Sequence, residues 1–272
     1  CVSVYPNMSH PHAPWALAFA GLPWKERDKA AAWARLELGE TLPLPEDAAE
    51  LWARREALCP RGARLLLPGD PEADHLNAPL PYPVALWVKG TVPPPSPVVA
   101  IVGRRKASAQ GLATARELAR QLTAAGFAVI SGLARGIDGA AHAGALLAGP
   151  TWGVLGSGLL QPYPPEHRPL MTQLVNAGGG VLSCFPPDAP PRPWHFPRRN
   201  VLLAAWAQAV VVVEADLRSG SLVTAKLALD HGKELFVKPG SEGCDELLKE
   251  DAAHLWASPE GLLEDLAQFT RT

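Results

Sequence analysis

The residues best suited to chemistry in this 272-residue chain lie in short runs where glycines or small hydroxyls adjoin cations. They are Gly103-Arg104-Arg105-Lys106, Ser131-Gly132 leading to Arg135-Gly136-Ile137-Asp138, Gly156-Ser157-Gly158, Trp194 to Asn200 (WHFPRRN), and Arg218-Ser219-Gly220-Ser221 with Thr224. Glycine lets backbone N–H groups approach a ligand, a following helix N-terminus adds partial positive charge, and arginine offers a planar fork that matches phosphate oxygens. One such run would mean little. Several at one edge of a sheet would make a groove that contacts several phosphates. Gly156 and Gly158 serve turn geometry as readily as a ligand, Asp138 and His142 are assigned to capping and packing, and Trp206 is assigned to the core. Arg104, Arg105, Lys106, Arg198 and Arg199 are assigned to ligand contact in preference to a solvated face.

Charge supports that assignment. Between residues 91 and 213 there are 10 Lys and Arg against 4 Asp and Glu, whereas residues 214 to 272 carry 6 against 12, and the whole chain is at −2. A basic middle third favours phosphate-rich ligands where its charges cluster in loops. The usual nucleotide fingerprints are missing: there is no G-x-x-x-x-G-K-[ST] run, and Gly156 to Gln161 has glutamine where G-x-G-x-x-G needs its third glycine. No G-x-S-x-G elbow, metal-ligand spacing or carboxylate pair occurs among the loops, so the expectation is a binding protein, not an enzyme, with no metal and no cofactor. Four cysteines far apart in sequence suit a reducing cytosol. Cys1 is read as a trimmed start, not a lipid attachment site. No apolar run approaches the roughly 18 residues of a spanning helix, and the expected location is the cytoplasm, away from membranes.

These loops need a scaffold. From Val98 onward a short apolar run, a Gly-containing loop and a helix recur: VVAIVG, FAVIS, TWGVLG, VLSCF, AVVVVEA and ELFVKPG read as strands. Ser108 is the expected N-cap of a helix that repeats Leu112, Ala115, Leu118, Leu122 and Ala125 and stops at Gly126; a second helix runs from Ala140 to Leu147. Strands and helices alternating at this length pack as an α/β, doubly wound, mostly parallel Rossmann-like sheet with helices on both faces. Ligands of such sheets bind at the carboxyl ends of the strands. Before Val98 the chain reads as helical, over Trp24 to Leu38 and Glu46 to Leu58, with Trp15, Trp24, Trp33 and Trp52 as core. The expected organisation is a small helical domain over 1–80, a strand (LPYPVALWVKG) and Pro-rich linker over 81–97, and the Rossmann-like domain over 98–272.

Taken together, VAIVGRRKAS, VISGLARGIDGAAHAGAL, LGSGLLQPYPPEHRPL, WHFPRRN and EADLRSGSLVTAKLALDHGKELFVKPGS resemble, in order and spacing, the DNA processing protein A family (DprA, also called Smf), from about Pro81 to Ala267. The resemblance implies a Rossmann-like domain that binds single-stranded DNA, protects incoming DNA, helps load a RecA-type recombinase during natural transformation and dimerises, preceded by a small SAM-like helical domain. It carries DNA contacts onto Gly103 and Arg105, with Arg104 and Lys106 beside them, and onto Ser131, Gly132, Arg135 and Gly136. Phe196, Pro197, Arg198, Arg199 and Asn200 follow, and Ser219, Gly220, Ser221 and Thr224 close the groove. The chain departs from the family in having Arg104 where a small hydroxyl residue is usual and in a shortened loop after Ser241, and the winged-helix-like domain that many members carry is not expected within residues 1–272. Two other readings stay open on the residues alone. One is a nucleotide-processing hydrolase with Ser219-Gly220-Ser221 and Thr224 around a phosphate and Glu214 as base. The other is a scaffold whose basic loops meet an acidic protein.

Overall fold

Runs such as Val98–Val102 and Ala209–Val212 are apolar at every position, and a strand of that kind is stable only when both of its faces are covered. That is how they are used. The computed structural model describes residues 15, 16, 19, 26–43, 46–54, 57–77, 79, 80, 84–95 and 97–269. Among them, nine strands form one sheet: β1 (Ala63–Leu66), β2 (Leu86–Gly90), β3 (Val98–Val102), β4 (Ala128–Ser131), β5 (Thr151–Val154), β6 (Gly180–Ser183), β7 (Ala209–Val212), β8 (Glu234–Val237) and β9 (His254–Leu255). The order across the sheet is β1-β2-β6-β5-β4-β3-β7-β8-β9. Seven strands, β6 through β9 in that order, are parallel; β2 pairs antiparallel with β6, and β1 antiparallel with β2.

Alternation along β3 divides the core into two layers. Val98, Ala100 and Val102 face one side with Leu202, Leu203 and Trp206, while Val99 and Ile101 face the other with Leu118, Leu122 and Ile137. The second layer is covered by α4 (Ala109–Ala124), α5 (Ile137–Ala145) and the terminal helix α10 (Pro259–Phe269). The first is covered by α7 (His195–Trp206) and α8 (Gly220–Asp230), joined by Trp15, Phe19 and residues of α1 (Glu26–Glu37). Trp33 and Leu36 of α1 therefore belong to the same buried layer as Trp206, whose Nε1 donates to Leu76 O at 2.7 Å. Two further short helices, α2 (Glu46–Arg54) and α3 (Asp74–Asn77), lie in the same N-terminal part; α6 (Arg168–Asn176) and α9 (Glu242–Lys249) complete the set.

The expected strands from Val98 onward all form, and Ser108 caps α4, its Oγ accepting from Gly111 N at 2.9 Å. The segment before residue 80 is not wholly helical: Ala63–Leu66 is a strand that pairs with β2 and so extends the sheet. The WHFPRRN stretch, grouped with the loops, is instead the N-cap and first turns of α7. Pro197 is compatible with that because first-turn N–H groups have no intrahelical partner to lose. Trp24 and the side chain of Trp52 lie outside the described residues. No helix among the described residues is long and apolar enough to cross a membrane.

Candidate nucleic-acid interface

Successive strands run outward from β3 in both directions, β4, β5 and β6 to one side and β7, β8 and β9 to the other. The loops leaving β3 and β7 must therefore diverge, and the crevice between them is where sheets of this topology bind ligands. An open pocket of about 480 Å³ occupies that place. Its wall includes Gly103, Arg104, Arg105 and Lys106 from the β3 loop, Phe196, Pro197, Arg199 and Asn200 from α7, and Ser219, Gly220, Ser221 and Thr224 at the start of α8. A smaller adjoining pocket is lined by Arg105, Gly132, Arg135, Tyr163, Phe196 and Arg199.

The β3 loop is fixed from below. Arg104 N donates to Glu214 O at 2.8 Å, and Ile137 N donates to Arg104 O at 3.3 Å. Gly136 has φ +75°, and a Cβ there would lie 2.2 Å from Arg104 O, so only glycine lets the start of α5 back onto this loop. With the backbone held, the Arg105 and Lys106 side chains project outward and are exposed. Arg105 Cζ lies 5.2 Å from the centre of the Phe196 ring, Phe196 meets Tyr163 edge-on at 5.9 Å, and Arg135 Cζ lies 5.4 Å from the Tyr163 ring. The result is an alternating series of cations and rings along the rim. Gly156 completes it, because a Cβ there would stand 2.7 Å from Phe196 Cδ1 and push that ring away.

Across the crevice, Ser219 precedes the first turn of α8, where the N–H groups of Gly220 and Ser221 lack intrahelical acceptors and the helix dipole favours an anion. The Ser219 and Ser221 hydroxyls are 2.7 Å apart, and Asn200 Nδ2 donates to Gly220 O at 3.2 Å. Arg104 spans the gap: its guanidinium pairs with Asp216 of the β7 loop. That pairing gives this side chain a definite direction, across the crevice.

Several residues expected in the groove act beneath it. Arg199 is 4% exposed and donates through Nη1 to Gly132 O and Val154 O and through Nε to Asn200 Oδ1 at 2.9 Å. It ties α7 to the ends of β4 and β5, and burial brings its pKa down to about 10, which Asp138 opposes, so it stays charged at neutral pH. Asp138 accepts from Gly132 N at 3.1 Å and Ala134 N at 3.3 Å; burial raises its pKa while Arg199 and these N–H groups counter the rise. Between them Leu133 is held at φ +55°, an uncommon conformation for a branched side chain. Ser131 is wholly buried and donates to Ile101 O. Arg198 lies outside the lining of both pockets, with Cζ 5.5 Å from the Phe185 ring. His142 is buried against Thr151 Oγ1 at 2.9 Å, and desolvation lowers its pKa to about 3. Glu214, the candidate base of a hydrolase, is turned to α4, where its carboxylate accepts from Ser108 N at 2.9 Å and from Ser108 Oγ.

Three residues at the rim were not singled out from the sequence: Tyr163, Asp216 and Glu166. Tyr163 had a readable signal, an aromatic residue in the Pro-rich loop that follows β5. The two acids had none, because their role depends on which arginine the fold brings opposite them.

A family model described as DNA recombination-mediator protein A matches residues 71–267. The chain is 43% identical to the Smf protein of Escherichia coli K12 over 211 residues, covering 74% of this chain and 56% of that protein. It is 35% identical to the DNA processing protein DprA of Bacillus subtilis over 195 residues, 68% of this chain and 65% of that one. It thus spans between about half and two thirds of these relatives. Among solved structures, DprA from Streptococcus pneumoniae gives a TM-score of 0.72 at 29% identity, covering 92% of this chain and 95% of that one. The DprA of Helicobacter pylori, whose structure was described for its single-stranded DNA binding mode, gives 0.66 at 29% identity over 76% and 96%.

Proposed function

The chain belongs to the DNA recombination-mediator protein A family, and from that membership we propose that it binds single-stranded DNA along the crevice between the β3 and β7 loops. The observation that carries the reading is the meeting, in one open pocket at the switch point, of the Arg104-Arg105-Lys106 loop with the N-terminus of α8. Cations and first-turn backbone N–H groups there line one open pocket of about 480 Å³, a combination that suits phosphate groups. Phe196 and Tyr163 at the rim supply ring faces for unpaired bases, each such contact being worth about 1–3 kcal/mol, and duplex bases, already stacked, gain nothing from them.

On this reading Gly103, Arg104, Arg105, Lys106, Arg135, Phe196, Pro197, Asn200, Ser219, Gly220 and Ser221 contact the strand, while Arg199, Gly132 and Thr224, all buried, form the floor beneath it. The wider role is protection of incoming DNA and loading of a RecA-type recombinase during natural transformation, by a cytoplasmic homodimer. Residues 1–80 are proposed as a small, mainly helical domain ahead of the Rossmann-like DNA-binding domain, one that lends the strand Ala63–Leu66 to the sheet. The proposal is one of binding without turnover: the carboxylate a nucleotide hydrolase would need, Glu214, is engaged by Ser108 at the start of α4.

The test is fluorescence anisotropy of the chain with a labelled single-stranded oligonucleotide and with the matching duplex across a salt series. Tighter binding of the single strand, weakening steeply as salt rises, is expected. Equal affinity for the duplex, or no binding at low salt, would overturn the reading.

A further inference from the structure

We infer that Asp216 and Glu166 set the affinity of the groove by holding two of its arginines, so that phosphates enter by displacing carboxylates. The inference rests on the single-stranded DNA reading above. Each acid pairs with an arginine from a different loop: Asp216 of the β7 loop with Arg104 of the β3 loop, and Glu166, in the short 3₁₀ turn Pro165–His167, with Arg135 of the loop after β4. The first pair bridges the crevice; the second joins two loops on its β4–β5 side, at the adjoining pocket that Arg135 lines. By contrast, among the described residues Arg105 and Lys106 have no carboxylate within ion-pair distance, and Arg105 rests on a ring.

The pairs are built to be given up. The Asp216 and Glu166 side chains are 57% and 48% exposed and their arginines 27% and 45%, so water reaches both carboxylates, and ion pairs open to water on that side contribute little to stability. They cannot be scaffold in the way that Arg199 is, with its guanidinium buried against backbone carbonyls. Yet each carboxylate occupies a guanidinium that lines a pocket: Asp216, itself part of the main pocket's wall, holds Arg104, and Glu166 accepts from the Nε of Arg135 in the adjoining one. Each acid thus opposes a phosphate twice, by repelling it and by neutralising the cation it needs. Once a strand is bound, Arg104 and Arg135 move their charge from carboxylate to phosphate, while the backbone bond from Arg104 N to Glu214 O and the contact of His167 with Leu133 O keep the loops in place. Weakly charged or short ligands, unable to displace both acids together, are disfavoured.

Asp216→Asn, Glu166→Gln and the double variant, compared with the unchanged chain by anisotropy on labelled oligo-dT, test this. Each single change is expected to tighten binding about three- to tenfold at low salt and to steepen the slope of log affinity against log salt by about 0.7, one further phosphate contact on a single strand. Unchanged melting temperatures would accompany this, and the gain from Asp216→Asn should vanish in an Arg104→Ala background. If the unchanged chain binds but both variants bind equally or more weakly, the acids position the arginines instead and the inference is wrong. If neither the chain nor any variant binds, the DNA reading itself has failed, and this inference with it.

Discussion

Two basic segments in this chain look alike on paper and do opposite things. Arg104-Arg105-Lys106 leaves a strand end into a loop whose backbone is pinned from below, so Arg105 and Lys106 stand in solvent. Arg198-Arg199 begins a helix that packs on the sheet, so both are buried, at 5% and 4% exposure. Arg105 and Lys106 of the first segment are free to meet a polyanion. The second spends its donors inside the protein, Arg199 on Gly132 O and Val154 O. What separates them is the element each opens. A loop at a strand's carboxyl end exposes its side chains, whereas a helix start lying over the sheet turns them toward the core. Composition identifies basic segments; only topology says which of them is a surface.

The sharpest way to break this contrast is Arg199→Ala. It leaves two strand-end carbonyls unsatisfied and strips buried Asp138 of its nearest positive charge, and losses of that kind cost about 3–5 kcal/mol. Urea unfolding should show it, with Arg199→Lys failing to restore the stability because one ammonium cannot reproduce the fork. A loss under about 1 kcal/mol would mean that Arg199 is a surface cation after all.

The buried layer also has its own pH signature. His142 has a folded-state pKa of about 3 because desolvation penalises its charged form. The unfolded chain therefore takes up this proton near pH 6.5 while the folded chain does not. Stability from this group is complete above about pH 6.5 and declines as pH falls toward 3, by about 1.4 kcal/mol per pH unit. His195, lowered to about 4, acts in the same sense; Asp138, raised by burial, acts in the opposite one. His142→Gln removes one titration, so its unfolding free energy should change less between pH 7 and pH 5 than that of the unchanged chain, by on the order of 2 kcal/mol. Equal pH dependence would show that His142 is solvated in the folded state.

The same contrast marks what the sequence could disclose. The strands from Val98 to Val237 were legible because apolar runs of five residues between glycine loops admit one packing, and Ser108 and Gly126 bounded their helix by ordinary capping chemistry. Ala63–Leu66 was not: four residues, half of them only partly buried, become a strand because β2 offers an edge to pair with. The start of α7 was hidden by the prolines before it and by Pro197 within its first turn. Within the site, the Gly103–Lys106 loop and the Ser219–Ser221 turn could be read from residue type and from position after a strand. Arg104's pairing with Asp216 could not, since 112 positions separate the two and only the sheet order makes them neighbours. Local chemistry predicts which residues could bind; long-range pairing decides which of them are already occupied.

Arg105→Ala is the smallest of these changes and the one that isolates the exposed segment. The side chain is exposed, it has no acid to release among the described residues, and its contact with Phe196 lies at the rim, so unfolding free energy should stay within about 0.5 kcal/mol of the unchanged chain. Single-stranded DNA should bind about tenfold more weakly, roughly 1.4 kcal/mol, and alike for every sequence, because a phosphate carries no base identity. The salt slope should become shallower by about 0.7. Arg105→Lys separates charge from shape: it retains the slope, and it recovers affinity only to the extent that a point charge replaces the fork over Phe196. Were Arg105→Ala to lose stability and leave the slope unchanged, Arg105 would belong with Arg199 in the interior set, and the two basic segments would not differ in kind.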